Sequence, residues 1–291
     1  MYAVTGITGQ VGGAVARTLM AQGENVRAVA RDASKAAPWV ERGCDLAIAE
    51  MSDAAALTRA FAEADGAFVL IPPIFDPSPG FTEAGAVMSA VRHALAEAQP
   101  ARTVCLSTVG AQATQPNLLN QLAMMERELG ALDLPIAFLR AAWFMENAAW
   151  DVASAREGAI QSFLQPLDHA IPMVATADIG ATAARLLRDR WVGRRIVELQ
   201  GPAPVSPNDL AAIFGQLLTR PVTAHAVSRA EWEALFRTQG MRNPAPRIQM
   251  LDGFNQGWLS FEGGEGVEAV TGSTSLETVV RGLLARARRD E

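Results

Sequence analysis

Val4-Thr-Gly-Ile-Thr-Gly-Gln-Val-Gly-Gly13 is the stretch that decides how this chain is read. Tyr2-Ala3-Val4 at its front is a short apolar run of the kind that forms a buried strand. Gly6, Gly9 and Gly12 then fall every third residue, and from Val11 the pattern turns helical. Val11, Val15 and Leu19 give one apolar face, and Gly23 supplies a stop. A glycine-rich turn between strand and helix lets the backbone approach a pyrophosphate closely, and the first-turn N–H groups and the helix dipole then hold its charge. A glycine triplet alone recurs by chance in surface loops. Strand, turn and helix in this order make it a dinucleotide-binding fingerprint.

The 291 residues suffice for a large core, in one large domain or in a major and a minor lobe. With 49% hydrophobic and 19% charged residues, the composition is that of a soluble globular chain. A net charge of -6 argues against a nucleic-acid surface. The Arg-Ala-Arg-Arg run at 286–289 reads as cations closing a last helix, where they suit its dipole. No long apolar span and no basic-then-apolar leader is visible, so no membrane association and a cytoplasmic location are the expectations. Cys44 and Cys105 are too few for a disulfide framework or a metal site, and Cys105 reads as a small core residue.

Further strands are expected at Asn25–Ala30, Asp45–Ala49, Ala67–Ile71, Thr103–Leu106 and Ile136–Leu139. Between them fall a helix capped by Ser52-Asp53 with Leu57, Ala60 and Phe61 inward, one through Val87, Met88, Val91 and Leu95, and one near 117–131. Strands alternating with helices imply an α/β fold, a Rossmann-type doubly wound parallel sheet with its ligand outside the strands' carboxyl ends. Residues 1–150 are the expected dinucleotide-binding domain, with 175–200 returning to the sheet through a helix over Asp178–Arg190 and a strand at Ile196–Leu199. Residues 201–291 read as a smaller, mostly helical lobe closing over the cofactor. There Ser206-Pro207 starts a helix, and Ser228 with Glu231 and Thr274 with Glu277 are spaced as capping boxes.

Thr5-Gly-Ile-Thr-Gly-Gln-Val-Gly12 resembles the TGxTGxxG signature of extended and atypical short-chain dehydrogenases. With Val29-Ala-Arg-Asp32, Ser107-Thr-Val-Gly110 and Leu139-Arg-Ala-Ala-Trp-Phe-Met-Glu-Asn147, the chain is similar to the NmrA-like family of NADP-binding atypical short-chain dehydrogenases. The resemblance runs from Met1 to about Arg190, with Thr271–Leu283 like the family's closing helix. It implies NADP(H) as cofactor and either of two activities. One is NADPH-dependent reduction of a quinone or similar flat, conjugated acceptor, as in quinone and triphenylmethane dye reductases. The other is NADP(H) sensing with little turnover, in which a regulatory protein partner replaces the small aromatic substrate. A homodimer is compatible with either.

Cofactor contacts are expected from Gly6, Thr8, Gly9, Gln10, Val11 and Gly12, and from the strand-end residues Glu50, Ile71, Pro72, Pro73, Ser107, Ala141 and Ala142. NADP(H) over NAD(H) follows from Arg31, which stands at the end of the second strand where an NAD site carries an acid. A guanidinium pairs with a 2′-phosphate in bidentate fashion, and Lys35 adds a second cation. A solvated Arg31, with Asp32 on the ribose, is the competing reading. Glu50 falls where the family has an adenine-contacting acid or is an exposed strand end. The superfamily's catalytic Tyr and Lys positions fall on Leu118 and Leu122, and the chain's one tyrosine and one lysine are Tyr2 and Lys35. The catalytic residues are therefore unassigned. Trp143, Phe144, Asn147, His169 and Trp258 are the candidates for a substrate pocket, beside Met145, Trp150 and Phe254. Each aromatic serves equally as core packing. Asn117, Asn120 and Gln121 either orient a ligand or cap helices. His93 reads as an outward helix residue, and His225 and His169 lack ligand-spaced neighbours, so no metal is expected.

Overall fold

In the computed structural model, which describes residues 1–289, strands and helices alternate from the first residues. They run β1 (Tyr2–Thr5), α1 (Gln10–Ala21), β2 (Val26–Ala30), α2 (Ala33–Val40), β3 (Asp45–Ile48), α3 (Ala54–Phe61), β4 (Gly66–Val69), α4 (Thr82–Ala98), β5 (Thr103–Thr108), α5 (Asn120–Leu129) and β6 (Ile136–Ala141). Short elements follow: β7 (Trp143–Phe144), α6 (Val152–Glu157), β8 (Ala159–Ser162) and β9 (Met173–Val174). The chain then returns through α7 (Thr176–Arg188) to β10 (Arg194–Gln200). It ends with α8 (Pro207–Leu218), β11 (Thr223–Ala226), α9 (Trp232–Thr238), α10 (Ala245–Gln256), β12 (Val267–Thr271) and α11 (Leu276–Ala287).

The large sheet has eight strands in the order β12-β10-β6-β5-β4-β1-β2-β3, each neighbouring pair parallel. Its strands read as near-continuous apolar runs because helices bury both faces. Val4, Phe68, Val104, Leu139 and Val197 face α1 and α7 in one core, and Ala67, Val69, Cys105, Ile136 and Phe138 face α3, α4 and α5 in another. Strand order reverses between β1 and β4, which opens a crevice at their carboxyl ends. Asp53 caps α3 as its sequence predicts, accepting the Ala56 N–H. Ser206 and Asp209 close a reciprocal capping box on α8.

A third core belongs to a lobe over the β5–β6 end of the sheet. Trp232, Phe236, Phe214, Leu251 and Phe254 pack there with Val109, Leu118, Met145 and Ile160. Three expectations need correction. The stretch from 201 onward is not separate from the sheet, because β12 pairs in register with β10. The lobe also begins earlier than residue 201, since Met145, Val152 and Ile160 are in its core. Of the proposed capping boxes, Ser228 makes no side-chain cap, and α11 is capped by Ser275 through the Thr278 N–H. Thr274 instead donates its backbone N–H and hydroxyl to the Asp178 carboxylate, and so ties the end of the chain to α7. Neither Ser/Thr-x-x-Glu pattern forms a capping box, and at Thr274 the Asp178 carboxylate takes the hydroxyl. Among the described residues no helix is long and apolar enough to cross a membrane.

Helices α1 and α7 approach through small residues. A Cβ on Gly180 of α7 would lie 2.6 Å from the Ala14 carbonyl carbon and methyl group of α1, and both residues are buried. Gly180→Ala is therefore expected to destabilise the fold by about 1–3 kcal/mol, despite alanine's better helix propensity, because two packed helices must separate. Urea unfolding measures it; a rise in the midpoint would contradict this packing. In the lobe, burial pushes the Asp151 carboxyl up to about 6. Its folded pKa lies above the unfolded value, so the unfolded state binds fewer protons between about pH 4 and 6 and stability falls as pH rises through that window. Asp151→Asn is expected to flatten this slope and raise the thermal midpoint at pH 8, as scanning calorimetry at pH 5 and 8 will test.

Candidate functional site

The turn from β1 to α1 is shaped by what its glycines lack. Gly6 takes φ +63°, a left-handed conformation, and its carbonyl accepts the Gly9 N–H at 2.9 Å. Gly12 lies against this turn: a Cβ there would sit 2.7 Å from the Thr5 carbonyl oxygen and closer still to Gly6. Gly9 differs, because a Cβ would meet only the Gly6 carbonyl oxygen, at 3.2 Å, and the residue is exposed with Thr8 and Gln10. Gly12 is closed by the fold and Gly9 faces outward. No side chain caps α1 at Gly9, as none caps α4, α5, α6, α7, α9 or α10. Its first-turn amides are thus free to receive an anion.

Beside this turn, Arg31 and Lys35 are exposed, and neither side chain forms a hydrogen bond or ion pair among the described residues. Asp32 is turned away onto α2. Its Oδ1 accepts the Ser34 hydroxyl at 2.7 Å and the Ser34 N–H at 2.9 Å, bonds that hold its carboxyl below the usual range. The acid caps α2 and feels the charge of Lys35, while Arg31 pairs with no carboxylate among the described residues. Ile71 is buried at the end of β4 with Pro72 and Pro73 exposed beyond it, Glu50 is exposed beyond β3, and Ala141-Ala142 are buried at the end of β6. These residues all lie on the same carboxyl edge as the glycine turn.

Ser107 has another occupation. It is buried, and its hydroxyl donates to Glu126 Oε1 at 2.5 Å. The same carboxylate receives Arg140 Nε at 2.9 Å and Nη2 at 2.7 Å. Arg140 Nη1 reaches Glu262 at 2.6 Å and Glu198 at 3.5 Å. Glu198 in turn accepts the N–H groups of Glu262 and Gly263 at 2.8 and 3.1 Å. Ser107, Arg140 and Glu198 are in one register row across β5, β6 and β10, one face of which carries the whole network. Burial would lower the Arg140 pKa, but its hydrogen bonds to Glu126 and Glu262 outweigh it and hold the guanidinium above its usual value. The row anchors the 259–263 segment over the sheet, where Leu259 also packs on Gly110 and Ser260 accepts the Gln112 amide at 2.8 Å. Ser107 is thus part of this anchor as well as a strand-end residue on the expected ligand edge.

Of the pocket candidates, Trp143 is half-buried and meets Phe254 edge-on, ring centroids 5.2 Å apart. Phe144 and Asn147 are half-buried nearby in sequence, and Trp258 is half-buried with its indole N–H on Gln256. Met145 and Phe254 are closed into the core. Trp150 is 67% exposed. His169 lies half-buried in the loop after Pro166, with no hydrogen bond to its ring among the described residues. His93 is exposed on α4, and His225 pairs with Thr223. Leu118 is buried and Leu122 half-buried against the sheet core, and Tyr2 is buried in β1. Asn120 Oδ1 accepts the Asn117 N–H and Asn117 Oδ1 the Leu119 N–H, which closes the turn before α5. Gln121 donates to the Ile74 carbonyl, which fixes the loop after β4. Asp76 in that loop accepts the N–H groups of Arg242 and Asn243, latching it to the lobe. Glu146 bonds the Thr176 N–H and hydroxyl at the start of α7. The sequence flagged none of Glu126, Glu198 or Asp76, and it marked Arg140 and Glu146 only as part of the Leu139–Asn147 motif, since each partner lies far along the chain. No cluster of three or more His, Cys, Asp or Glu fit for a metal occurs among the described residues.

Parallel sheet, switch point and glycine turn define a Rossmann-type nucleotide-binding fold. The chain belongs to the NmrA-like family, whose model matches residues 2–243. It is 25% identical over 247 residues to quinone oxidoreductase 2 of Escherichia coli K12, across 83% of this chain and 82% of that one. An NAD(P)H azoreductase of Xenophilus azovorans is 24% identical over 244 residues, with 83% and 82% covered. In structure it superposes on the triphenylmethane reductase of a Citrobacter species with a TM-score of 0.80 at 22% identity, covering 98% of this chain and 99% of that one. The NADPH complex of an Escherichia coli quinone oxidoreductase gives 0.79 at 24% identity, with 97% and 99% covered.

Removing Arg140 alone strands two carboxylates in the interior. Arg140→Met should cost about 3–5 kcal/mol of stability, as expected for breaking a buried ion pair from one side. Thermal and urea unfolding provide the measurement, and a loss under 1 kcal/mol would mean the network contributes little.

Proposed function

We propose that the protein is an NADPH-dependent reductase of quinones or similar flat, conjugated acceptors. The observation that carries this reading is the start of α1, without a side-chain cap, with the exposed cations Arg31 and Lys35 beside it. The related quinone oxidoreductase, azoreductase and dye reductase add support, since the acceptors in their names are flat and conjugated. The residues present fit the cofactor. Gly6, Thr8, Gly9, Gln10, Val11 and Gly12 would hold its pyrophosphate, Arg31 and Lys35 its 2′-phosphate, and Glu50, Ile71, Pro72, Pro73, Ala141 and Ala142 the remainder along the strand ends. When bound, the nicotinamide supplies hydride.

The chain's own contribution is positioning and exclusion of water. Half-buried Trp143, Phe144 and Trp258 suit a flat ring, and the 259–263 segment covers the strand ends. Leu118 and Leu122 leave no acid–base pair in the superfamily's usual place. An ordinary ketone would gain an alkoxide that needs a positioned acid. A quinone gives a charge-delocalised hydroquinone anion, and a cationic dye a neutral product, so neither depends on a strong protein acid. The apolar Leu118 and Leu122 also favour a second reading, an NADP(H) sensor with little turnover.

Following NADPH absorbance against a panel of quinones, azo and triarylmethane dyes and aliphatic ketones separates the readings. Oxidation by quinones or dyes with ketones inert is expected; tight NADPH binding with no acceptor active would turn the assignment to the sensor. Arg31→Ala should weaken NADPH binding about ten- to a hundredfold through loss of charge-assisted hydrogen bonds, with NADH barely affected. Equal titration curves for the two cofactors in the unmodified protein would reject that assignment. Gly9→Val should abolish nucleotide binding while keeping the thermal midpoint, because its side chain would occupy the outward face of the turn. Calorimetry that still shows nucleotide binding would leave the turn a purely structural role.

A further inference from the structure

Arg247 is half-buried on α10, yet no carboxylate among the described residues pairs with it. Its guanidinium lies over the Phe236 ring, 4.5 Å from the centroid, and Nη1 has only the Met241 sulfur, at 3.8 Å. Burial is what acts on this group, and it lowers the pKa. The contrast is with Arg140, which is buried among three carboxylates. Burying a guanidinium without acceptors costs free energy. A cation–π contact returns about 0.5–2 kcal/mol and satisfies none of the five N–H donors. Among the described residues, the fully enclosed side-chain atoms without a partner are Thr103 Oγ1 and Gln112 Oε1, and no nitrogen of Arg247 is among them.

Arg247 stands on the helix whose far end reaches the candidate acceptor site. The carbonyl of Pro246, the preceding residue, accepts the Leu118 N–H at 2.9 Å, which sets the start of α10 against the segment leading into α5. Arg247, Leu251 and Phe254 are spaced i, i+4, i+7 and form one stripe of α10. The far end of that stripe is the Phe254 ring against Trp143. With Cζ over the Phe236 ring and Nη1 on the Met241 sulfur, Nε and Nη2 are left for a charged partner.

We propose that Arg247 is a recognition residue for a carboxylate or sulfonate carried by the flat acceptor, so that anionic acceptors are selected over neutral ones of the same ring. This rests on reading the Trp143 region as the acceptor site. The test compares 1,2-naphthoquinone-4-sulfonate with 1,2-naphthoquinone, using the unmodified protein, Arg247→Met and Arg247→Lys. KM and kcat are measured with NADPH, and equilibrium binding of both quinones with NADP⁺.

Arg247→Met should raise KM and Kd for the sulfonate about ten- to a hundredfold with kcat little changed, as loss of a charge-assisted contact does. The neutral quinone should stay within about twofold, Arg247→Lys should restore part of the sulfonate affinity, and NADPH affinity should not move. Equal effects on both quinones, or none, would overturn the inference and leave the reductase reading intact. A loss of NADPH affinity in Arg247→Met would overturn it in favour of a cofactor-phosphate contact. Arg247-dependent sulfonate binding without NADPH oxidation would sustain the anion site and remove the reductase reading.

Discussion

Helix α1 starts where it does because residue 12 has no side chain. Its backbone rests on the Thr5 and Gly6 carbonyls, in space that a Cβ would claim. On its other side the helix is gripped by Gly180 of α7, again with no room for a methyl group. Two glycines far apart in sequence therefore fix the position of one helix from both sides. That placement aims the uncapped amides of α1 at the crevice between β1 and β4. Well-packed interiors do not yield to an added methylene without displacing backbone, so the anion-binding geometry depends on these contacts.

A second constraint ties the sheet to the lobe. Arg140 receives carboxylates from α5, from β10 and from the 259–263 segment, while Ser107 joins through Glu126. Elements separated by 122 residues thereby meet at one guanidinium. Asp76 and Gln121 add a latch between the loop after β4 and the lobe. Polar anchors of this kind hold irregular segments over the strand ends, where apolar packing alone would leave their backbone groups without partners.

The comparison of Arg140, Asp32 and Arg247 shows how one charge type is used in three ways. Arg140 is compensated and serves the fold. Asp32 is spent on a helix cap, which leaves its neighbours Arg31 and Lys35 available. Arg247 is partly withdrawn from water without an acid of its own. Chemistry at the carboxyl edge is set by which charges the fold has already matched.

The alternation of apolar strands with helices, the glycine triplet and the cations at 31 and 35 were all legible in the chain, because each signal lies within one local period or turn. From these came the parallel sheet, its early strands and the place of the nucleotide turn. The cap on α3 and the box at Ser206 were legible for the same reason. Tertiary structure alone decided the rest. Ser107 belongs to Glu126, Thr274 serves Asp178 rather than capping α11, and β12 returns to the sheet instead of staying in the lobe. Trp150 points to solvent although its neighbour in the same stretch, Trp143, packs on Phe254. A side chain's partner is set by what folding brings opposite it, over separations at which the sequence carries no periodic signal.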